Sequence, residues 1–427
     1  MNKIKCRALL GFYENELTNN LLYFWKDACL DKEYGGYLNC YDNMGKQLVS
    51  YDKYTWSMGR FVWMWSKLAM MKGKTFNQSQ KNEFLALAKN GRDFLMQHCL
   101  MGKNDWRCVF LMERDGTPKK VEGWDVLDMS VYADCFVVAG IGKYAEAAND
   151  RKAYAFAKQL FLSLINRIES GSFHTLPYPL SPRFRAHGIP MILTNVIKEL
   201  HGASEKMDLG FIPTLLTHLK QYSDDILDHF ADENNVIHEV ISVDNTFIPQ
   251  ILGQHANPGH TIEDMWFQID AADLLGDPTR LKQIFGIVKK ALEIGWDEEN
   301  GGILHFVGVD GGEPTGEHTG MESEPMVKQL SDWNSKLWWV HSEALYITLL
   351  CFVRSGDDSF LTWHDQVFEY TFSIFPNPDR EVREWIQIRD RKGKPQNKVV
   401  ALPVKDPYHI VRNIIFIIEL LYQFLNE

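Results

Sequence analysis

Apolar positions along this chain recur mostly at three- and four-residue spacing, the pattern of helices that bury one face. These runs predict helices over 7–30, 54–72, 76–101, 128–148, 151–170, 186–203, 208–232, 259–275, 278–297, 333–354, 358–375 and 406–425. Between several of them the period changes. Residues 31–45 read as an aromatic strand, a polar turn and a return, and similar connectors recur at 106–117, 235–243, 297–312 and 384–395, several turning at Asp-Gly or Lys-Gly. A helix, a short hairpin and a second helix cannot bury both faces alone, whereas six such units stacked in a ring enclose a continuous core. The predicted fold is therefore all-α, an (α/α)6 barrel of six helical hairpins with short β-hairpin connectors. In that ring the helices that follow a connector lie inside, and their N-terminal ends meet at one mouth. An open solenoid is the alternative, but its repeats run shorter and more even than these.

No Pro-, Gly- or Ser-rich linker interrupts the chain, so residues 1–427 read as one barrel domain. Residues 309–332, rich in Gly and Glu, read as a long loop: a lid, or more simply a solvated excursion. The composition, 45% hydrophobic and 13% aromatic, suits a large core with many flat faces for stacking. A formal charge of −11 argues against a nucleic-acid partner, which needs a basic stripe. Seven scattered cysteines without a Cys-x-x-Cys pair point to reduced thiols and a cytoplasmic setting. The apolar run after Lys3, Lys5 and Arg7 is too short for a secretion signal, and the run Ile414–Leu421 is broken by Glu419, so no membrane span is expected.

Candidate chemistry gathers at the predicted mouth. In Asn257-Pro258-Gly259-His260-Thr261-Ile262-Glu263-Asp264-Met265-Trp266-Phe267 the proline suits a helix entry and puts His260 in the first turn, with Glu263 and Trp266 on its face. The helix dipole favours an uncharged imidazole there, so His260 reads as a neutral proton acceptor; the plainer reading is a histidine at a cap. Trp56, Arg60 and Trp63 share a face of the second helix, which makes Arg60 either a core arginine laid on tryptophans or an electrophile for a carbonyl. Trp339 and Glu343, one turn apart, suit a hydroxyl-rich ligand. His409 and Arg412 follow Asp406-Pro407, a second histidine at a helix start.

Gly35-Gly36-Tyr37, Lys53-Tyr54-x-Trp56-x-x-Gly59-Arg60, Tyr132-Ala133-Asp134-x-Phe136, Pro190-Met191-x-Leu193-x-Asn195, Asn257-Pro258-Gly259-His260, Lys336-Leu337-Trp338-Trp339-x-His341-Ser342-Glu343, Glu384-Trp385 and Tyr408-His409-x-x-Arg412 together resemble the N-acylglucosamine 2-epimerases, with cellobiose 2-epimerases and aldose–ketose isomerases as more distant relatives. The resemblance covers nearly the whole chain. It implies a sugar epimerase that interconverts N-acetylglucosamine and N-acetylmannosamine by proton transfer at C2, with His260 and His409 as the acid/base pair and Arg60 at the reacting carbonyl. It implies Asn195, Glu263, Trp266, Trp339, Glu343 and Arg412 as the sugar-binding wall. No metal or redox cofactor is implied; nucleotides such as ATP stimulate some members, but no phosphate-binding Gly-rich loop stands here to mark a site. A homodimer is left open. The chain departs from the family pattern at Ile386-Gln387, in the 309–332 insert and at Asp406. The rival readings are the same chemistry on another sugar such as cellobiose or mannose, an inverting glycosidase using Glu263 and Glu343, and a binding protein using the mouth.

Overall fold

The computed structural model describes residues 1–426, and among them twelve long helices alternate between an outer and an inner layer. The outer set is α1 (residues 3–28), α3 (Gln78–His98), α5 (Arg151–Glu169), α7 (209–230), α9 (278–295) and α11 (Asp358–Ile374). The inner set is α2 (Thr55–Met70), α4 (Val131–Ala148), α6 (Gly188–Met207), α8 (Pro258–Leu275), α10 (Trp338–Ser355) and α12 (Tyr408–Leu425). Outer helices carry one apolar stripe, while inner helices are buried nearly all round, because they have neighbours on every side. Each inner helix packs on the next, α12 returns to α2, and each outer helix backs the inner helix before it; α1 completes the pattern by packing on α12. This is the (α/α)6 barrel.

Two short strands, one ahead of an inner helix and one in the following connector, recur around the ring. Residues 53–54 pair with 111–112, 184–186 with 240–242, 255–256 with 307–308 and 336–337 with 388–389. A bridge between Ser130 and Thr175 serves α4, and Lys405 N–H donates to the Asn39 carbonyl at 2.8 Å ahead of α12. The expected hairpins are present within the connectors, as 100–102 with 105–108, as 111–112 with 118–119 and as single bridges such as Tyr41–Leu48 and Trp296–Ile303, and the pairings between successive connectors add a tie from each inner helix start to the next unit. Three of these starts are also pinned by buried lysines. The Lys53 ammonium meets Asp31 at 2.9 Å and the Gly35 carbonyl at 2.6 Å, while Arg114 grips the same carboxylate. Lys336 repeats the device on Asp297 and Gly301, with Arg391 in the place of Arg114. Lys405 pairs with Glu384 at 2.6 Å. A buried charge is tolerated only when so satisfied.

The 309–332 segment is less solvated than the sequence suggests. It buries Met321 and Leu330 against apolar side chains from 240–252 and 306 and ends in a one-turn helix, Pro325–Gln329. Among the described residues α12 is long and apolar enough to cross a membrane, against the expectation of no such stretch, but 83% of it lies buried inside the barrel.

Inner helices α2 and α4 cross without side chains between them: a Cβ on Gly59 would stand 2.3 Å from the Phe136 carbonyl oxygen, and one on Gly140 equally close to that of Gly59. Gly59→Ala should destabilise the protein by about 3 kcal/mol, since backbone cannot move aside. Gly11→Ala, in the exposed middle of an outer helix with open space around it, should stabilise it by about 0.4–1 kcal/mol. Urea unfolding of the two variants measures the contrast.

Candidate active site

The N-terminal ends of α2, α8, α10 and α12 bring Arg60, His260, Glu263, Trp339, Glu343, His409 and Arg412 together. Asn257 caps α8 by accepting from the His260 N–H at 3.1 Å, and His260 lies in the first turn, as the proline at 258 predicts. Gly259 is required by what lies beside it: a Cβ there would press on the Trp339 indole at 2.5 Å. That indole is the hub of the mouth. The His260 and His409 rings lie 5.6 and 5.5 Å from it, so the two imidazoles are no further apart than those distances together.

The two histidines are held differently. His409 Nδ1 lies 2.7 Å from Glu343 Oε1, which fixes Nδ1 as the protonated nitrogen and leaves Nε2 as acceptor for an Arg60 N–H at 3.2 Å. Burial pushes the His409 imidazolium down to about 3; Glu263 opposes this, and the Arg60 and Arg412 guanidiniums reinforce it. His409 is therefore a neutral imidazole. His260 Nδ1 lies 2.8 Å from Glu239 Oε1. Burial alone would lower its pKa, but the Glu239 carboxylate outweighs burial and raises it. About a third of the His260 side chain remains exposed. The helix-start effect that predicts a neutral His260 is thus overridden by a carboxylate from the preceding connector, and His260 is the proton-rich member of the pair.

Arg60 is not a core arginine. Its guanidinium donates to Asp406 at 2.5 Å and lies 4.2 Å from the Phe136 ring, with Trp56 and Tyr408 at 5.2 and 5.1 Å. Aromatic walls on several sides hold the planar fork with little water near it. Two departures from the family pattern meet here, because Gln387 Oε1 accepts the Asp406 N–H at 3.1 Å and its amide donates to Glu384. Gln387 thereby helps fix the carboxylate that orients Arg60.

Glu343 and Trp266 take a role other than the sugar contact expected of them. Glu343 is fully buried, with one oxygen shared by His409 and Arg412 and the other accepting the Trp266 indole N–H at 2.9 Å. Neither residue has a group to spare for a hydroxyl. Arg412, also buried, donates from one nitrogen to both Glu263 and Glu343 at 2.5 Å. Glu263 keeps its second oxygen unbonded and open to the mouth, and Asn195 on α6 likewise has amide atoms neither bonded nor sealed off. Glu263, Glu343 and His409 present ligand atoms within 4.8 Å of one another, but the guanidinium already fills the place a cation would take. The same closeness overturns the inverting-glycosidase reading, which needs carboxyl groups about 6.5–9.5 Å apart and free to act. Glu239, with His187 behind it, is absent from the sequence-predicted set. Neither lies on an amphipathic helix face, and only their place beside a strand pair unites them. Two surface clefts of about 740 and 540 Å³, around Trp106 and Phe247, are lined by none of these residues.

Residues 36–413 match the family model for N-acylglucosamine 2-epimerase (GlcNAc 2-epimerase). N-acylglucosamine 2-epimerase of Rattus norvegicus is 29% identical over 408 residues, covering 92% of this chain and 87% of the relative. Cellobiose 2-epimerase of Ruminococcus albus is 22% identical, covering 94% and 96%. Among solved structures, cellobiose 2-epimerase from Spirochaeta thermophila superposes with a TM-score of 0.77 at 18% identity over 99% of this chain and 98% of that one, a likeness of fold.

Replacing Arg412 by Met should cost about 3–5 kcal/mol, because Glu263 and Glu343 would be left buried as unpaired like charges; a variant that unfolds at the wild-type urea concentration would refute this. Gly259→Ala should leave the fold intact and lower turnover about tenfold or more by displacing the Trp339 indole, since small misplacements at a reacting centre are costly. Steady-state kinetics beside a thermal melt tests it.

Proposed function

The chain belongs to the N-acylglucosamine 2-epimerase family, and on that premise we propose that it interconverts N-acetyl-D-glucosamine and N-acetyl-D-mannosamine by moving the proton on C2. The observation that carries this reading is the pair of histidines flanking one indole in opposite protonation tendencies, one neutral and one drawn toward the imidazolium. A stereocentre is inverted when one base removes the proton from one face and a second acid returns one to the other.

In the open-chain aldehyde the C2 proton is α to a carbonyl. In the direction where His409 is the base, the Arg60 N–H that Nε2 accepts turns to the substrate carbonyl oxygen, the freed Nε2 takes the C2 proton, and the electron pair moves onto that oxygen as an enolate. The Arg60 guanidinium, oriented by Asp406 and enclosed by Trp56, Phe136 and Tyr408, is the group suited to hold that charge. His260 then delivers a proton to the opposite face. The reverse direction exchanges the roles. Because C2 bears an amide nitrogen rather than a hydroxyl, the enolate does not collapse to a 2-ketose. The Trp339 indole offers a flat wall for the sugar's C–H surface, and Glu263 and Asn195 offer free polar atoms for its hydroxyl or acetamido groups. Proton transfer next to a carbonyl needs neither metal nor redox cofactor. Action on a free hexose or a β-1,4 disaccharide is the reading that stands beside this one, since the proton chemistry would be the same.

Proton NMR in deuterium oxide tests the proposal. Starting from N-acetylmannosamine, the N-acetylglucosamine formed should carry deuterium at C2, and His260→Asn and His409→Asn should each abolish epimerisation. One of the two is expected still to exchange the C2 proton of a single epimer, because one base suffices to remove and return it on the same face. Arg60→Lys, which keeps the charge and loses the planar fork, should lower kcat about 10²-fold with little change in stability. Product without deuterium would defeat the two-base mechanism, and turnover of mannose or cellobiose in place of the acetamido sugars would reassign the substrate.

A further inference from the structure

The carboxylate that holds His260 is itself held. Glu239 stands at the end of the connector strand 240–242, whose pairing with 184–186 sets it beside His187, the residue ahead of α6. The His187 backbone N–H donates to the Glu239 carbonyl at 3.0 Å, and His187 Nδ1 lies 3.7 Å from Glu239 Oε2. On its other side His187 Nε2 meets Asp264 Oδ2 at 2.8 Å. Asp264 lies one turn beyond His260 on α8, so both ends of the chain His260, Glu239, His187, Asp264 are anchored on one helix face. Behind it, the Gln268 amide donates to Asp264 at 2.9 Å and the Ser223 hydroxyl to Gln268 at 2.6 Å. His187, Glu239 and Asp264 are almost wholly buried, which makes an idle ionic chain costly.

We propose that Glu239, seated by His187 and Asp264, is a positioning residue for catalysis: it holds His260 in one orientation and one tautomer, with Nδ1–H on the carboxylate and Nε2 turned to the substrate. The inference rests on the reading of His260 as one of the two catalytic bases. The charge pattern along the chain suits the task. Burial works against a charged His187, but Asp264 and Glu239 raise it to about 9, so it is an imidazolium that offsets Asp264 and leaves the Glu239 charge to His260. Against its burial, His260 first and His187 after it hold the Glu239 carboxyl far below the usual range. The other groups facing His260 are Glu263 on its own helix, the neutral Trp339 ring on α10, and His305 in the connector ahead of α10. Burial and the nearby His260 charge push His305 down to about 3. The Tyr132 phenol of α4 faces Glu239 and is kept protonated by burial and by that carboxylate. Glu239 is therefore the group that sets His260 apart from His409, whose own carboxylate partner is shared with Arg412.

Glu239→Gln preserves shape and removes the charge. In the full chain it should lower kcat about 10²-fold while KM stays within about threefold. The alkaline limb of the kcat/KM profile should move to lower pH by about one unit or more, because activity needs one protonated histidine and the carboxylate that favours the imidazolium is gone. Glu239→Asp should restore the position of that limb with only part of the rate. Nitrogen-15 NMR of histidine-labelled wild type, with His260 assigned by its loss in His260→Asn, should show Nδ1 as the protonated nitrogen of the neutral ring. A Nε2–H tautomer, or a Glu239→Gln variant whose limb and His260 titration both stay in place, would overturn the inference even if the glutamine variant folds poorly, since the tautomer is read on the wild type. Full activity of His260→Asn would instead remove the reading on which it rests.

Discussion

One guanidinium nitrogen of Arg412, bonded to Glu263 and Glu343 at once, is the contact on which the mouth depends. It joins α12 to α8 and α10, and it allows two carboxylates to be buried within a few ångströms of each other in a wall otherwise made of Trp266, Phe267 and Tyr408 rings. With its charge partly committed to Arg412, Glu343 orients His409 without drawing it into the imidazolium. A carboxylate beside a histidine ordinarily raises its basicity. Here burial outweighs that, and the Arg60 and Arg412 guanidiniums add to the effect.

The outcome is an asymmetric pair built from like parts. Each histidine sits in the first turn of an inner helix, each presents Nδ1 to a glutamate, and both flank the same indole. What differs is that burial prevails at His409 while Glu239 prevails over burial at His260, and that the glutamates keep different company, a guanidinium in one case and a buried histidine–aspartate pair in the other. Environments that push two titratable groups apart are how a single site keeps an acid and a base at one pH.

The helices were legible in the sequence because their causes are local: three- and four-residue apolar spacing and a proline at the entry of α8. The pairing of the short strands ahead of the inner helices was not, because their partners lie one unit further along the ring and two or three residues carry no periodicity. Arg60, His260 and His409 could be singled out because helix starts converge in a barrel. Glu239 and His187 lie where connectors meet, and nothing in either stretch predicts the other. Glu343 was misjudged for a different reason: spacing shows that an aromatic and a carboxylate share a face, but not that the carboxylate's oxygens are already claimed by Trp266, His409 and Arg412. Lys53 and Lys336 carried the family pattern without revealing why, which is that each, like Lys405, neutralises a buried acid at an inner helix start.

Ring closure gives the chain an order of assembly. Outer helix α1 packs on α12, and Cys6 touches the carbonyl of Leu421, so the barrel's first helix finds its partner only when the barrel's twelfth has been made. The other five outer helices can each fold back on the inner helix just before them, through links of a few residues, while the chain is still growing. The seam runs through the mouth, because Arg60 belongs to α2 while Asp406 and His409 belong to the segment that closes on it. An unclosed stack can therefore be helical and largely packed yet hold no finished site. Regain of turnover during refolding thus reports the final, longest-range step separately from the return of helix content.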